Sequence, residues 1–147
     1  MKLIKRFILI ILISLSYCIT ASAADNLFEQ AKIKFEKKDY EKSKFLFQRN
    51  IVFNPKNAES YLYLAKIFKT EENQEEEEKN LDTTLLLEPN NEEAIYMLIN
   101  IQLDRSNFDK VNTLMDRFTS VCKKMCNKKK EISKSLQDFE ANNAKTN

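Results

Sequence analysis

The sequence predicts an all-α fold built from antiparallel helix pairs, and three observations support this prediction. The 147 residues include no glycine, so tight turns between strands would be difficult to form. Apolar residues make up 43% and charged residues 31% of the chain, a balance that favours a soluble helical protein. The two prolines, Pro55 and Pro89, lie 34 residues apart and each follows an apolar run, which indicates a repeated structural unit.

Residues 1–23 differ from the rest of the chain and are predicted to form a secretory signal peptide. The basic residues Lys2, Lys5 and Arg6 precede an uncharged stretch from Phe7 to Ala24, which closes with small residues at alternate positions. Cleavage is expected after Ala23 or one residue later, because the peptidase cleft accepts an extended chain with small alternate side chains. The protein is therefore expected to be exported, either to a periplasm or into the medium.

Two alternatives to a cleaved signal peptide stay open. An uncleaved segment would anchor the protein, although its 18 uncharged residues fall at the short end of the roughly 20 that span a bilayer. Cys18 would carry a lipid, as in bacterial lipoproteins, although Tyr17 precedes it where such signals need a small residue. We expect release from the membrane and keep the anchored form as the alternative.

Three repeats are predicted after this segment, at about residues 24–57, 58–91 and 92–125. Three positions recur at the same offset: Leu27, Tyr61 and Ile95; Ala31, Ala65 and Ile99; Phe47, Leu81 and Met115. Ala58–Thr70 shows helical periodicity most clearly, with an apolar stripe spaced i, i+3, i+4, i+7. Pro55 and Pro89 are expected to end the preceding helices, because proline cannot extend the hydrogen-bond ladder. Each repeat is therefore predicted to form a helix, a turn and a second helix.

Helix starts are predicted at Asn26 and Asn90, each followed three residues later by a glutamate. The turns inside the repeats lack glycine and use Lys38-Asp39, Glu72-Asn73 and Ser106-Asn107 instead. Asp and Asn tolerate the left-handed backbone conformation that such turns require. We therefore expect these acidic or amide residues to supply it.

Glu77 departs from the pattern of the repeats, because Ser43 and Val111 occupy the equivalent positions and are expected to face the paired helix. An unpaired buried carboxylate is costly, so this turn is expected to be frayed or rotated outward. The neighbouring glutamates of 75–78 are interpreted as a solvated acidic turn at a helix start rather than a metal or catalytic site. The sequence contains no loop suited to calcium.

These recurring positions resemble the tetratricopeptide repeat, a helix-turn-helix unit of 34 residues. The first copy supplies Leu27, Ala31, Tyr40, Ser43, Phe47 and Pro55, and the second supplies Tyr61, Leu64, Ala65, Phe68, Leu81, Thr84 and Pro89. The third matches less well, since Ile99 replaces the small residue and Lys123 the proline. The resemblance covers about residues 25–125 and implies a solenoid, a right-handed superhelix of antiparallel helix pairs with a binding groove on its inner surface.

The resemblance also implies which residues line that groove, because the first helix of each repeat faces inward. They are Phe28, Lys32 and Phe35 in the first repeat, Leu62, Lys66 and Lys69 in the second, and Tyr96, Asn100 and Leu103 in the third. An apolar and aromatic strip beside a row of lysines suits an extended peptide that carries apolar side chains and an acidic group. Lysines that are simply solvated are the alternative.

A capping helix is predicted at about residues 129–141, where Ile132, Leu136 and Phe139 are spaced i, i+4, i+7 in an otherwise polar segment. A partner-binding helix that is free in solution is the alternative. Residues 142–147 are expected to be disordered.

Cys122 and Cys126 are four residues apart, so on a helix they would share a face with their Cα atoms roughly 6 Å apart. That separation is within disulfide range, and an oxidising compartment favours the bond. Two buried thiols, a redox role and a soft-metal site are the alternatives. Nearby lysines are interpreted as a solvated helix end, with binding of lipid or phosphate head groups as the alternative; they are Lys123, Lys124, Lys128, Lys129 and Lys130.

The amino-acid composition excludes several classes of enzyme. The chain has no histidine, which excludes Ser-His-Asp catalysis and zinc sites built on histidine, and no glycine, which excludes phosphate-binding glycine loops. Removal of residues 1–23 takes away three basic residues and no acidic ones, so the net charge changes from +2 to −1. A nucleic-acid partner is therefore not expected.

The sequence thus predicts an exported scaffold or adaptor that binds a protein or peptide partner and acts in bacterial envelope assembly. No catalytic residue, metal site or cofactor is predicted, and a membrane contact is expected only if the signal stays uncleaved. The alternative is a membrane-anchored accessory subunit of a secretion, pilus or cytochrome-maturation system.

Overall fold

The computed structural model of the protein describes residues 26–143, and for residues 139–143 it describes the backbone alone. The predicted signal peptide at 1–23 lies outside these residues. Within them the chain forms seven helices: α1 (26–36), α2 (Tyr40–Phe53), α3 (Ala58–Thr70), α4 (Gln74–Leu87), α5 (Glu92–Asp104), α6 (Phe108–Val121) and α7 (Lys128–Asn143). None of the described helices is both long and apolar enough to cross a membrane.

The helices form three consecutive pairs and a final single helix. From α2 onward each helix packs against the next one in the chain. Helix α1 joins α2 through a buried hydrogen bond of 2.9 Å from the Ser43 hydroxyl to the Ala31 carbonyl. The all-α solenoid of antiparallel helix pairs that the sequence predicts is confirmed.

Two clusters of buried side chains hold the pairs together. The smaller core joins α1, α2 and α3 and consists of Phe28, Ala31, Phe47, Leu64 and Ile67. The larger core draws on α3 to α7 and includes Leu62 and Ala65. Helix α3 therefore contributes different faces to both cores. The recurring small position of the repeat is buried in each copy, at Ala31, Ala65 and Ile99.

The helix ends follow the prolines and the asparagines. Helices α2 and α4 end at Phe53 and Leu87, two residues before Pro55 and Pro89, as predicted. Helix α5 is capped by Asn91, whose side chain accepts a hydrogen bond of 3.0 Å from the Ala94 amide. The predicted start at Asn90 is therefore one residue early, and Asn26 is already helical.

The three turns inside the repeats share one backbone geometry. Positive φ angles of 59°, 56° and 56° occur at Lys38, Glu72 and Ser106, so the expectation that Asp39, Asn73 and Asn107 would supply them was wrong. In each turn the amide of the following residue donates to a carbonyl five residues back, at 2.9, 2.9 and 2.8 Å. Asp39, Asn73 and Asn107 occupy the N-cap position of the next helix instead.

Glu77 lies inside α4 and is buried, with 5% of its surface exposed. The expectation of a frayed or outward-turned segment was wrong. Asn73 caps this turn, because its side chain accepts a hydrogen bond of 3.2 Å from the Glu76 amide. Glu77 Oε1 has no hydrogen-bond partner among the described residues. Burial is the main cause that raises the pKa of Glu77, while Lys69 opposes this effect.

Helix α7 packs against the end of the third repeat, with Ile132 fully buried and Leu136 partly buried in the larger core. It is therefore not free in solution as an isolated helix. Its range of Lys128–Asn143 extends two residues into the tail that was expected to be disordered from 142. Residues 144–147 lie outside the described part of the chain.

Candidate partner-binding groove

The predicted groove residues lie on α1, α3 and α5, but two of them belong to the core. Phe28 and Leu62 are 8% and 6% exposed, so they offer little surface to a partner. Phe35, Tyr96 and Leu103 are half-buried. Among the predicted groove residues, these three side chains are the ones that leave apolar surface exposed.

Tyr63 is a groove-side aromatic residue that the sequence analysis did not identify. Its ring stacks on Phe47 with centroids 4.9 Å apart and meets Phe35 and Phe28 edge to face at 5.1 and 6.1 Å. Burial raises the pKa of its hydroxyl. Tyr63 therefore packs α3 against α1 and α2. The sequence analysis missed it because it assigned the neighbouring residue, Leu62, to the groove.

The predicted lysine row is engaged with glutamates. Lys66 Nζ lies 2.8 Å from the Glu93 carboxylate and 4.8 Å from the centre of the Tyr63 ring. Lys32 Nζ lies 3.7 Å from the carboxylate of Glu29 and packs over a neighbouring phenylalanine ring. Lys69 is exposed and makes no ion pair among the described residues. Two of the three lysines thus have a glutamate partner within the chain.

The Lys66–Glu93 pair joins the first helices of adjacent repeats, and its spacing recurs. Lys44 pairs with Glu71 and Glu78 with Arg105, each again 27 residues apart. That offset brings neighbouring repeats together. The 27-residue spacing between oppositely charged residues is the sequence signal that could have predicted the Lys66–Glu93 ion pair.

The third repeat's part of the groove is bounded by α7. The Tyr96 hydroxyl donates a hydrogen bond of 2.8 Å to Glu131, and Lys128 Nζ lies 5.3 Å from the centre of the Tyr96 ring. The hydrogen bond of 2.7 Å from Lys128 to Glu131, together with the contacts of both side chains with Tyr96, lowers the pKa of Glu131 and raises that of Lys128. Asn100 and Leu103 remain half-buried. Helix α7 therefore contacts the predicted groove at Tyr96.

Cys122 and Cys126 form a disulfide with their Cα atoms 5.3 Å apart. They do not share a helix as supposed, because Cys122 is the C-cap residue that follows α6 and Cys126 lies in the segment that leads to α7. The Glu92 carboxylate accepts the backbone N–H groups of this segment, from Lys123 at 2.6 Å, Lys124 at 3.0 Å and Met125 at 3.3 Å. These hydrogen bonds hold the pKa of Glu92 below its usual value.

An open cavity of about 610 Å³ lies between α3, the start of α5 and this disulfide segment. It borders the groove at Leu62. Its lining consists of Glu59, Leu62, Glu88, Pro89, Asn90, Asn91, Glu92, Glu93, Lys124 and Met125. We call it the acidic cavity, because four of these residues are glutamates and one is a lysine.

The acidic turn at the start of α4 is engaged in ion pairs. Glu76 pairs with Lys79 at 3.0 Å, and Glu78 pairs with Arg105 across to α5. Within residues 26–143, no group of three acidic, cysteine or histidine side chains is arranged to hold a metal ion.

No protein-family model matches the chain, and no curated protein matches it in sequence. Solved structures match its fold. The tetratricopeptide domain of Sgt2 from Aspergillus fumigatus is similar with a TM-score of 0.68 and 13% identity, over 83% of this chain and 82% of that one. The type III secretion chaperone SycD of Yersinia enterocolitica, solved with a peptide of the translocator YopD, is similar at 0.67 and 11%.

The match to SycD covers 86% of this chain and 96% of that one. A third similar structure is the CopN–Scc3 complex, with a TM-score of 0.64, 17% identity, and coverage of 76% of this chain and 67% of that chain. The chain therefore has the tetratricopeptide-like fold that its sequence resembles.

Proposed function

We propose that this protein is a non-enzymatic interaction module that holds a segment of a partner protein along its inner surface. The observation that carries the proposal is the acidic cavity, which opens beside half-buried apolar groove residues on a scaffold of packed helices. Pockets of this size hold side chains or small ligands. The likeness to SycD supports the proposal, because that protein was solved with a bound peptide and has the same fold.

We further propose that the protein is exported and acts in bacterial envelope assembly. The support is the N-terminal sequence, with basic residues, an apolar stretch and small residues before position 24. The disulfide between Cys122 and Cys126 fits an oxidising compartment. The alternative is an anchored accessory subunit of a secretion, pilus or cytochrome-maturation system, which the same N-terminal segment would serve if it were not cleaved.

N-terminal sequencing of the protein recovered from fractionated cells separates these two forms. A first residue of Ala24 or Asp25 supports release from the membrane. A first residue of Met1 in the membrane fraction supports the anchored alternative. Recovery from the cytosol with Met1 intact would contradict both.

Site-specific photo-crosslinking tests whether the inner surface binds the partner. A photoreactive amino acid replaces Lys69 or Asn100 in the groove, and Gln48 or Asn112 on exposed outer positions serves as the matched control. We expect partner adducts from the groove positions alone. Equal adducts from outer positions, or none from the groove, would contradict the proposed binding surface.

A further inference from the structure

The acidic cavity carries more negative than positive charge after its internal contacts are counted. Glu93 is paired with Lys66, and Glu92 is held by three backbone N–H groups. Glu59 and Glu88 make no ion pair with any described residue. Both carboxylates line the cavity. Lys124 is the one cation among the described residues of the lining, so an approaching group meets these two unpaired carboxylates against a single ammonium group.

The rest of the lining includes apolar surface. Leu62 contributes a small exposed edge from α3, and Met125 of the disulfide segment is partly buried against the larger core. Pro89 adds the turn between α4 and α5. Lysine and arginine combine a long aliphatic stem with a cationic head, so they suit a site that is apolar and acidic at once. An acidic or purely apolar side chain would desolvate the carboxylates without pairing them, which is costly.

Charge complementarity thus reverses the partner chemistry that the sequence suggests. The sequence predicts an acidic group bound by Lys32 and Lys66, yet each of these lysines already has a glutamate beside it. The carboxylates of Glu59 and Glu88 have no such partner among residues 26–143.

We propose that the acidic cavity receives a lysine or arginine side chain of the partner segment, with its stem against Pro89 and Met125 and its cation against Glu59 and Glu88. The inference rests on the proposed function and adds the chemistry of the partner to it. The volume of about 610 Å³ leaves room for the backbone that carries the basic side chain, and the lining includes Leu62, one of the predicted groove residues. A basic residue within an otherwise apolar segment is the partner this surface fits.

Selection of peptides from a random decamer display library tests the inference with the protein purified from cells that express the full chain. We expect the selected peptides to be enriched in lysine or arginine next to aliphatic residues, relative to the input library. The double variant Glu59→Gln/Glu88→Gln should weaken the binding of a selected peptide about tenfold in fluorescence anisotropy, because charge-assisted hydrogen bonds are lost. Higher salt should weaken the wild-type complex as well.

Glu41→Gln/Asp116→Gln is the matched control. It also removes two negative charges, but at exposed positions of α2 and α6 outside the cavity lining. We expect it to leave peptide affinity unchanged, with circular dichroism to show that both variants keep their helices. An equal loss in both double variants would reduce the effect to overall charge and overturn the inference.

The outcomes distinguish this inference from the function on which it rests. Selected peptides that lack basic residues, or that bind Glu59→Gln/Glu88→Gln as well as the wild type, overturn the inference and leave the peptide-binding function standing. A library from which no peptide is enriched counts against both.

Discussion

Among single residues, Glu77 is the clearest case of an ionisable side chain buried in the fold. It occupies the position where the other repeats have Ser43 and Val111, and all three side chains are buried. Ser43 satisfies its hydroxyl through the Ala31 carbonyl, whereas Glu77 Oε1 has no partner within the described residues. The second repeat therefore carries a polar group that the fold does not satisfy, at a position that two smaller side chains fill elsewhere.

We predict that Glu77→Ala raises the stability of the protein. Leaving a buried polar group unsatisfied costs on the order of 1–3 kcal/mol, and the smaller side chain removes that cost while leaving some empty volume. A net gain of about 1 kcal/mol, or a few degrees in Tm, is expected from thermal denaturation. Glu75→Ala, at an exposed position on the same turn, serves as the control. A lower Tm for Glu77→Ala than for the wild type would contradict the prediction.

The difference in Tm between the wild type and Glu77→Ala should depend on pH, because the pKa of Glu77 is raised. Burial raises this pKa above the ordinary value of 4.5, so the folded state binds the proton more tightly than the unfolded state. The resulting stabilisation is fully present below 4.5 and is lost as pH rises through the folded-state pKa. We expect the Tm advantage of Glu77→Ala to shrink between neutral pH and about pH 5. A constant difference across that window would contradict it.

Asn90 and Asn91 are adjacent asparagines with different roles. The Asn91 side chain accepts a hydrogen bond from the Ala94 amide and donates one of 3.0 Å to Glu88. Asn91→Ala should therefore destabilise the protein by about 1 kcal/mol. Asn90→Ala should change stability by less than about 0.5 kcal/mol. Urea denaturation of the two variants measures the difference, and equal losses would contradict the assignment of the cap.

At the scale of helices, the disulfide segment and Glu92 join α6 to α7. We predict that Cys122→Ser/Cys126→Ser lowers stability by about 2 kcal/mol, as expected for a short closed loop. Amide exchange should become faster across α7, while α3 should be protected as before because it packs between α2 and α4. Hydrogen exchange followed by mass spectrometry measures both helices. Unchanged exchange in α7 would show that the bond does not hold the capping helix in place.

The helix pairs are predictable because their buried positions recur every 34 residues and the prolines mark their ends. The caps are less predictable, since Asn90 and Asn91 are the same residue type and only backbone geometry separates them. The left-handed positions fall one residue before the expected ones, because Asn73 and Asn107 serve as N-cap residues of the following helices. Local propensity could not decide between the two uses of an asparagine.

The groove was less predictable than the fold. Spacing placed Lys32 and Lys66 on the inner side but did not show their ion pairs. Glu29 lies three residues before Lys32 on the same helix, whereas folding brings Glu93 beside Lys66. Glu93 comes from the next repeat, and Met125 reaches the cavity through the disulfide segment. Phe28 and Leu62 were assigned to the groove because helical spacing predicts which side of a helix a residue faces but not how deeply it is buried.

At the scale of the whole molecule, the described solenoid begins with a helix whose outer face has no preceding pair within residues 26–143. Ile33 is 48% exposed, whereas Ile67 and Ile101, at the same position of the next repeats, are 0% and 2% exposed. We predict that Ile67→Ala costs on the order of 2–4 kcal/mol. Ile33→Ala should cost less than about 0.5 kcal/mol. Chemical denaturation compares them, and a similar loss at both positions would indicate that the end of the solenoid is covered.

The shared use of α3 by two cores has a consequence for how the chain folds as it is made. The side chains of the smaller core extend no further along the chain than Phe68, so it can assemble once the first half of the chain has emerged. The other face of α3, with Leu62 and Ala65, is then available for the later helices to pack against. Synthesis from the N-terminus would thus build the molecule in two stages around a helix that belongs to both.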